Sequence, residues 1–310
     1  MLTVVRSAPL LTVQDRGRFG YRADGVSPSG PLDPLALDVA NALAGNALDA
    51  AALEGCLGGA TFRAERTFTF ALTGAEVAAT CAGKSVASYA THTANPGDEL
   101  IVERIVRGAA WYLGVNGGID TPVVLGSRAT LIAAELGGID GKPIRNGAQI
   151  PIARKLAKPR ARTAVPKELR AALDTDPIPL TPAPRSDALT EHDWDTFYRT
   201  TFTVSRASSR IGYRLEGARI ASRLAADLAS EPACAGAMQL PPEGNPIVLL
   251  AEHPTIGGYP IIGVVPAFAL GRFAQCAPGT MVRFAPMTIE NAMNARARER
   301  AALSQWIAQD

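Results

Sequence analysis

Short apolar runs, cut every few residues by glycine or proline, fill most of the chain, and helical spacing is confined to a few places. Leu2 to Val13 is aliphatic and β-branched but carries Pro9, which predicts an edge strand or a bent one. From Leu53 to about Ile152, runs such as Phe68–Leu72, Leu100–Val102 and Ala110–Val115 predict strands at the spacing of a barrel. Phe202-Thr203-Val204 opens a second series of strands that ends near Phe284, with Ile247–Leu250 reading as a buried strand. A helix is predicted where Asp33 offers an N-cap, Pro34 fits the first turn and Leu35, Val39 and Leu43 recur every four residues; Gly45-Asn46 stops it. Thr288 caps a final helix with Ile289, Met293, Ala297 and Ala301 on one face, and with Arg296, Arg298 and Arg300 on a solvated one.

The pattern repeats itself. Arg18-Phe19-Gly20-Tyr21-Arg22-Ala23-Asp24-Gly25 returns 192 residues later as Arg210-Ile211-Gly212-Tyr213-Arg214-Leu215-Glu216-Gly217. Pro96-Gly97 before an apolar run returns as Pro278-Gly279 before another. Two echoes in the same order predict a duplicated domain. Between the copies, Arg154 to Arg185 holds six prolines and reads as a connector, partly extended, with a short helix at Lys167–Leu173. The expected division is therefore a first barrel at 1–160, a Pro-rich connector at 161–186, and a second barrel with its C-terminal helix at 187–310.

Composition narrows the class. With 310 residues and 47% hydrophobic content, the chain can bury two cores. Glycine (29) and proline (23) together suit short strands and turns rather than a helical bundle. A net charge of +2 from 31 basic and 29 acidic residues gives no stripe for nucleic acid or a membrane surface. Met1–Leu11 reads as a strand and not a signal peptide, and no apolar run approaches a membrane span, so the expected location is cytoplasmic. Cys56, Cys81, Cys234 and Cys276 stand apart without a CxxC pair and read as reduced core thiols. His92, His192 and His253 lack metal-spaced partners, so no metal site is expected. Neither GxxxxGK[ST] nor GxSxG occurs.

Three glycine-rich loops could carry chemistry. In Asp15–Pro31, glycines bring backbone N–H groups close to a ligand, and Arg18 can grip a carboxylate; the competing reading is a tight loop whose charges cap backbone groups. The loops Asn116-Gly117-Gly118-Ile119 and Leu125-Gly126-Ser127-Arg128 read as hairpin turns. The third, Glu252-His253-Pro254-Thr255-Ile256-Gly257-Gly258-Tyr259-Pro260, puts an acid, an imidazole and a hydroxyl at a strand end. A lone histidine is structural or catalytic, and His253 is carried as a candidate proton shuttle.

The order of these segments identifies a family. Thr12–Arg18, Ser27–Asp33, Ala40–Asn46, Leu53-Glu54, Gly117–Ile119, Leu125–Ser127, Gly137-Gly138, Arg210–Leu215, Met238–Pro241 and Gly257–Pro260 together resemble the C subunit of bacterial 5-oxoprolinase, also called allophanate hydrolase subunit 2 or the KipA-like family. The same module forms part of the carboxyltransferase domain of biotin-dependent urea carboxylase. The resemblance runs over roughly residues 3 to 286. It implies a mainly β fold of two tandem, duplicated cyclophilin-like β-barrels with a few short helices. It also implies a partner resembling the B subunit of the oxoprolinase (allophanate hydrolase subunit 1). An A-type subunit joins them in ATP-dependent opening of 5-oxo-L-proline to L-glutamate. Biotin enters only under the carboxyltransferase alternative. A third alternative is a non-catalytic KipA-like regulatory module.

On their residue chemistry, Arg18 and Arg210, taken as equivalent in the duplication, are expected to bind carboxylate or phosphate charge. Ser27, Ser29 and Gly30 would donate hydrogen bonds to a developing oxyanion. Gly257, Gly258 and Tyr259 would line the substrate, and Asp15, Glu252 and His253 would transfer protons. Three departures fall in the second barrel or just before it. Ser209 stands where the family has Asp, and Glu252-His253-Pro254-Thr255-Ile256 where it has Asp-His-Gln-Thr-Thr. Ala183-Pro184-Arg185 replaces a Gly-Pro-Gln segment. They imply altered specificity or lost activity in that half.

Overall fold

The computed structural model describes residues 1–153, 164–171, 173, 177–223 and 229–309. Their contacts define two compact units: residues 1–19, 29–172 and 301–310 form the first, and 20–28 and 173–300 the second. Each unit is discontinuous in sequence, which no single boundary along the chain would give.

The first unit is built on nine strands: β1 Leu2–Arg6, β2 Leu10–Gln14, β3 Ala52–Cys56, β4 Thr61–Ala64, β5 Phe68–Cys81, β6 Lys84–Ser85, β7 Thr91–Ala94, β8 Glu99–Val115 and β9 Gln149–Ile150. The predicted strand Leu2–Val13 is broken in two around Pro9, as its lost N–H would require. The sheet runs β2-β3-β8-β4-β1-β9, with β5 pairing along β8. All these pairings are antiparallel, and irregularities near Gly74–Ala79 bend β5. The sheet curls around Leu2, Leu11, Leu53, Phe62, Phe70 and Trp111, all fully buried.

Helix α1, Pro34–Ala44, begins and ends as predicted: the Asp33 side chain accepts from Ala36 N–H, and Gly45 takes a left-handed conformation. Its burial is wider than one stripe, because Val39, Ala42 and Leu43 pack with Ala71, Val165, Leu169, Leu303 and Trp306. Val165 and Leu169 lie in the stretch read as connector, yet both are buried in this core. Among the described residues of the helix expected at Lys167–Leu173, Lys167–Leu169 form a 3-10 turn; residue 172 lies outside the described residues. Residues 154–163 of the connector lie outside the described residues.

Among the described residues, the second unit holds ten strands: β10 Ile178–Pro182, β11 Phe202–Val204, β12 Gly212–Glu216, β13 Glu231–Pro232, β14 Ala237–Gln239, β15 Ile247–Leu249, β16 Ile256–Gly257, β17 Ile261–Val264, β18 Met281–Val282 and β19 Phe284–Pro286. Eight run in the order β18-β11-β12-β15-β14-β17-β10-β19, and β13 pairs with β16. Strand β10, predicted as linker, pairs with β17 and in parallel with β19. Helices α2, Glu191–Arg199, and α3, Ala267–Ala274, supply Phe197 and Phe273 to an aromatic cluster with Phe202, Tyr213 and Phe284.

Thr288 caps α4, Ile289–Ala308, by accepting from Asn291 N–H. The face predicted to bury does not: Ile289 and Met293 are 57% and 67% exposed, whereas Ala292, Leu303 and Trp306 are buried. Cys234 is likewise exposed; Cys56, Cys81 and Cys276 are buried, and all four are free thiols.

One sequence echo is structural and the other is not. Ala64 N–H donates to Asp98 O and Gly97 N–H to Ala64 O; Val204 N–H donates to Thr280 O and Gly279 N–H to Val204 O. Both Pro-Gly turns thus lead into a strand in the same way. Arg210–Gly217 contains strand β12, whereas Arg18–Gly25 contains only a 3-10 turn at Arg22–Asp24. Arg18 and Arg210 are therefore not equivalent positions of a duplication. Among the described residues, no helix is long and apolar enough to cross a membrane.

Candidate functional site

In the first unit, β2 delivers Gln14 and Asp15 to the residues that follow Val124. Val124 and Ser127 exchange backbone hydrogen bonds across Leu125 and Gly126, both at positive φ, which is the tight hairpin expected there. What the sequence did not disclose is that this hairpin presents its next groups to Asp15. The buried Asp15 carboxylate accepts from Ser127 Oγ at 2.5 Å, Arg128 N–H at 2.6 Å and Gly17 N–H at 2.9 Å. Three donors make Asp15 a pin between two loops, in keeping with a tight loop whose charges cap backbone groups.

Arg18 is 1% exposed and donates to the Ala129 carbonyl. Gly137 makes this possible: at φ +67° a Cβ there would lie 2.1 Å from Ala129 O and 2.7 Å from Arg18 Nη2. Thr130 is the hub beside it. Its carbonyl accepts from Ser29 Oγ at 2.6 Å and from Gln14 Nε2 at 3.2 Å, and its hydroxyl donates to Val13 O at 3.1 Å. Ser29 itself sits at φ 56°, a strained position for a residue with a Cβ. Asn116-Gly117 forms a clasp to the end of α1, through Asn116 Nδ2 to Ala44 O and Gly117 N–H to Asn46 Oδ1.

The second unit gathers Arg22, Ser27, Arg210, Glu252 and His253. Arg210 Nε donates to Glu252 Oε1 at 2.7 Å, with both side chains almost fully buried at 3% and 4% exposure. The backbone aligns them, since Glu252 N–H donates to Arg210 O. Ser27 Oγ reaches toward Ala251 O at 3.5 Å, and Arg22 donates to Ala233 O. Buried His253 places Nδ1 2.8 Å from Pro254 O. A carbonyl only accepts, so Nδ1 carries the proton and Nε2 keeps its lone pair. Burial holds the imidazole below its ordinary pKa, the bond to Pro254 opposes that, and the nearby Arg22 charge adds to it. His253 is thus neutral at neutral pH.

The other predicted residues differ in setting. Gly257 lies against buried Gln239, where a Cβ would come within 2.3 Å of Nε2, so a side chain there would require Gln239 to move. Tyr259 and Ile256 are exposed at 43% and 59%. Ser209 is exposed, and its hydroxyl accepts from Ile211 N–H; the carboxylate that holds Arg210 is Glu252. Arg22, Ser127, Ala129, Thr130 and Gly137 were missed as site residues. Backbone carbonyls leave no mark in a sequence, and only the Gly137-Gly138 pair hinted at a close approach. No group of three His, Cys, Asp or Glu residues able to hold a metal occurs among the described residues.

Residues 24–286 match the family described as carboxyltransferase domain, subdomain A and B. The chain is 34% identical to the C subunit of 5-oxoprolinase from Escherichia coli over 296 residues, covering 96% of this chain and 94% of that one. It is 32% identical to the C subunit of the Haemophilus influenzae 5-oxoprolinase, covering 98% and 97%. The crystal structure of K. lactis urea amidolyase superposes with a TM-score of 0.92 at 26% identity, over 98% of this chain and 20% of that one. These likenesses extend through both units, and the chain belongs to the family of carboxyltransferase domains, subdomains A and B, with the C subunits of 5-oxoprolinases among its relatives.

Proposed function

We propose that this chain is a subunit of a heteromeric, ATP-dependent 5-oxoprolinase, opening 5-oxo-L-proline to L-glutamate in a composite site shared with a partner of the B-subunit type. The observation that carries this reading is the end-to-end likeness to two 5-oxoprolinase C subunits, each matched over more than nine-tenths of its length. The urea amidolyase likeness, by contrast, corresponds to a fifth of a longer chain. An A-type subunit then completes the assembly. ATP is used by the assembled complex in this reading, and this chain carries no GxxxxGK[ST] loop of its own.

Opening a lactam requires a base for the attacking water, donors for charge developing on the carbonyl oxygen, and a proton for the departing nitrogen. His253 is the proton acceptor in this reading, since it is neutral with Nε2 unprotonated. Glu252 and Asp15 serve instead as fixed acceptors that hold Arg210 and the Ser127–Arg128 backbone. Arg18 and Arg210 are the candidate anion-binding cations of the first and the second unit. Backbone N–H groups of the loop Ser27 to Gly30 supply hydrogen-bond donors, the Ser29 hydroxyl being held by Thr130 O, and Gly257, Gly258 and Tyr259 shape the substrate surface.

The test is co-purification with the B-type and A-type partner proteins, followed by an assay for ATP-dependent glutamate release from 5-oxo-L-proline. Release that requires all three chains is the expected result. The superposition on urea amidolyase favours a second reading, a carboxyltransferase half acting on urea or an amide. Carboxylation blocked by avidin, with no glutamate release, would replace the first reading by the second. A stable complex silent in both assays would leave a regulatory role.

A further inference from the structure

Glu54 and Tyr112 are buried ionisable groups with no part in the chemistry above. Glu54 is on β3 and Tyr112 on β8, which pair so that the two residues are directly opposed. Tyr112 Oη donates to Glu54 Oε2 at 2.7 Å. The same carboxylate oxygen accepts from Leu32 N–H at 2.8 Å, and Tyr112 Oη accepts from Asp33 N–H at 2.8 Å. Burial and the neighbouring Glu54 push the phenol well above its ordinary pKa, so it remains a donor at any working pH. Both groups therefore face the stretch that runs from Ser29 into α1. At its other end, Ser29 Oγ is tied to Thr130 O, and Ser29 and Gly30 both lie at positive φ. Strained backbone of this kind persists only where its surroundings over-determine it. A buried carboxylate and phenol that each accept from a peptide N–H are a costly means of holding a loop unless the loop must keep one shape.

We propose that Glu54 and Tyr112 are positioning residues that fix the Ser29–Asp33 segment, and through it the backbone N–H groups of the Ser29–Gly30 turn, in the geometry used for oxyanion binding. This rests on the oxyanion role given to that segment above. The experiment compares Tyr112→Phe and Glu54→Gln with the natural chain in the full complex, measuring kcat and KM, and follows amide hydrogen exchange by NMR in the chain itself. Tyr112→Phe removes one donor and one acceptor, and is expected to speed exchange at Leu32 and Asp33 by about tenfold or more while amides elsewhere keep their rates. It is expected to lower kcat about tenfold with KM changed by less than about threefold, as for groups that act by orientation. Glu54→Gln keeps an acceptor oxygen and should show smaller changes in the same two readouts.

Natural exchange at Leu32 and Asp33 in Tyr112→Phe overturns the proposal, and so do loosened amides with an unchanged kcat. Should Tyr112→Phe fail to fold, Glu54→Gln carries the test under the same criteria. If the natural complex opens no lactam, the oxoprolinase reading fails by itself. Exchange then decides for the positioning: loosening confined to residues 29–33 supports it, and unchanged exchange overturns it.

Discussion

Arg18 and Arg210 stand in the same Arg-x-Gly-Tyr context and are both buried, yet the protein holds them by different means. Arg210 meets a carboxylate, and the pair is sealed in the second unit at 2.7 Å. Arg18 donates to a peptide carbonyl, and the backbone is shaped to admit it, since Gly137 leaves no room for a side chain there. A buried charge can thus be kept by a specific side chain or by a specific fold of the chain. The first kind is vulnerable to loss of charge, the second to gain of volume.

The sharpest way to break the comparison is to remove the counter-charge. Glu252→Ala strands Arg210 in the interior, and urea unfolding should show a loss of about 3–5 kcal/mol. Replacing both members with apolar residues, Arg210→Met with Glu252→Leu, should recover most of it. A double variant as unstable as Glu252→Ala would mean that the loss was packing and not charge.

Gly137→Ala is the matching test in the first unit. A left-handed backbone costs about 1–2 kcal/mol for a residue with a Cβ, and the clash with Ala129 O and Arg18 adds roughly 1–3 kcal/mol. Here Arg18→Met should not rescue the variant, because the nearest obstacle is the Ala129 carbonyl at 2.1 Å. Rescue would assign the strain to the guanidinium instead.

Ser127→Ala removes one of three donors to Asp15 and should cost about 1.5–3 kcal/mol, the range for hydrogen bonds to charged groups. A loss near zero would show that Arg128 N–H and Gly17 N–H hold the loop unaided.

A smaller effect separates the two settings by pH. The His253 pKa is lowered in the folded chain, so the unfolded state binds its proton more readily as pH falls. Its contribution is fully present above the unfolded value of about 6.5 and is lost below that, toward the folded value. His253→Gln should flatten this limb of the stability profile between pH 7.5 and 5, lowering its slope by at most about 1.4 kcal/mol per pH step of one, the limit for a single proton. An unaltered limb would place the dependence elsewhere.

The smallest expected change is Ser209→Asp. Residue 209 is exposed and an Asp can accept from Ile211 N–H as Ser209 does, so stability should move by less than about 0.5 kcal/mol. A large change would show that residue 209 is coupled to Arg210 after all.

Local signals were legible wherever neighbours in sequence are neighbours in space. Asp33, Pro34 and Gly45 bounded α1, Thr288 opened α4, and Pro9 broke a strand. The paired Pro-Gly turns disclosed a true repetition. The Arg-x-Gly-Tyr echo misled because identical residues adopt whatever backbone their strand partners permit: β12 has β11 and β15 beside it, and Arg18–Gly25 lies outside every strand. Burial on α4 misled for a related reason, since spacing marks a face but not what covers it.

By itself, then, the sequence determined a mainly β chain with its helix ends, its turns, its family and the loops that bear charge. Tertiary structure alone decided that Glu252 answers Arg210, that Asp15 is consumed by Ser127 and Arg128, and that Val165, Leu169, Leu303 and Trp306 share one core. Caps and turns are settled within a few residues of chain, where propensity and hydrogen bonding act directly. Partners distant in sequence are chosen by strand register and packing, which no local pattern encodes.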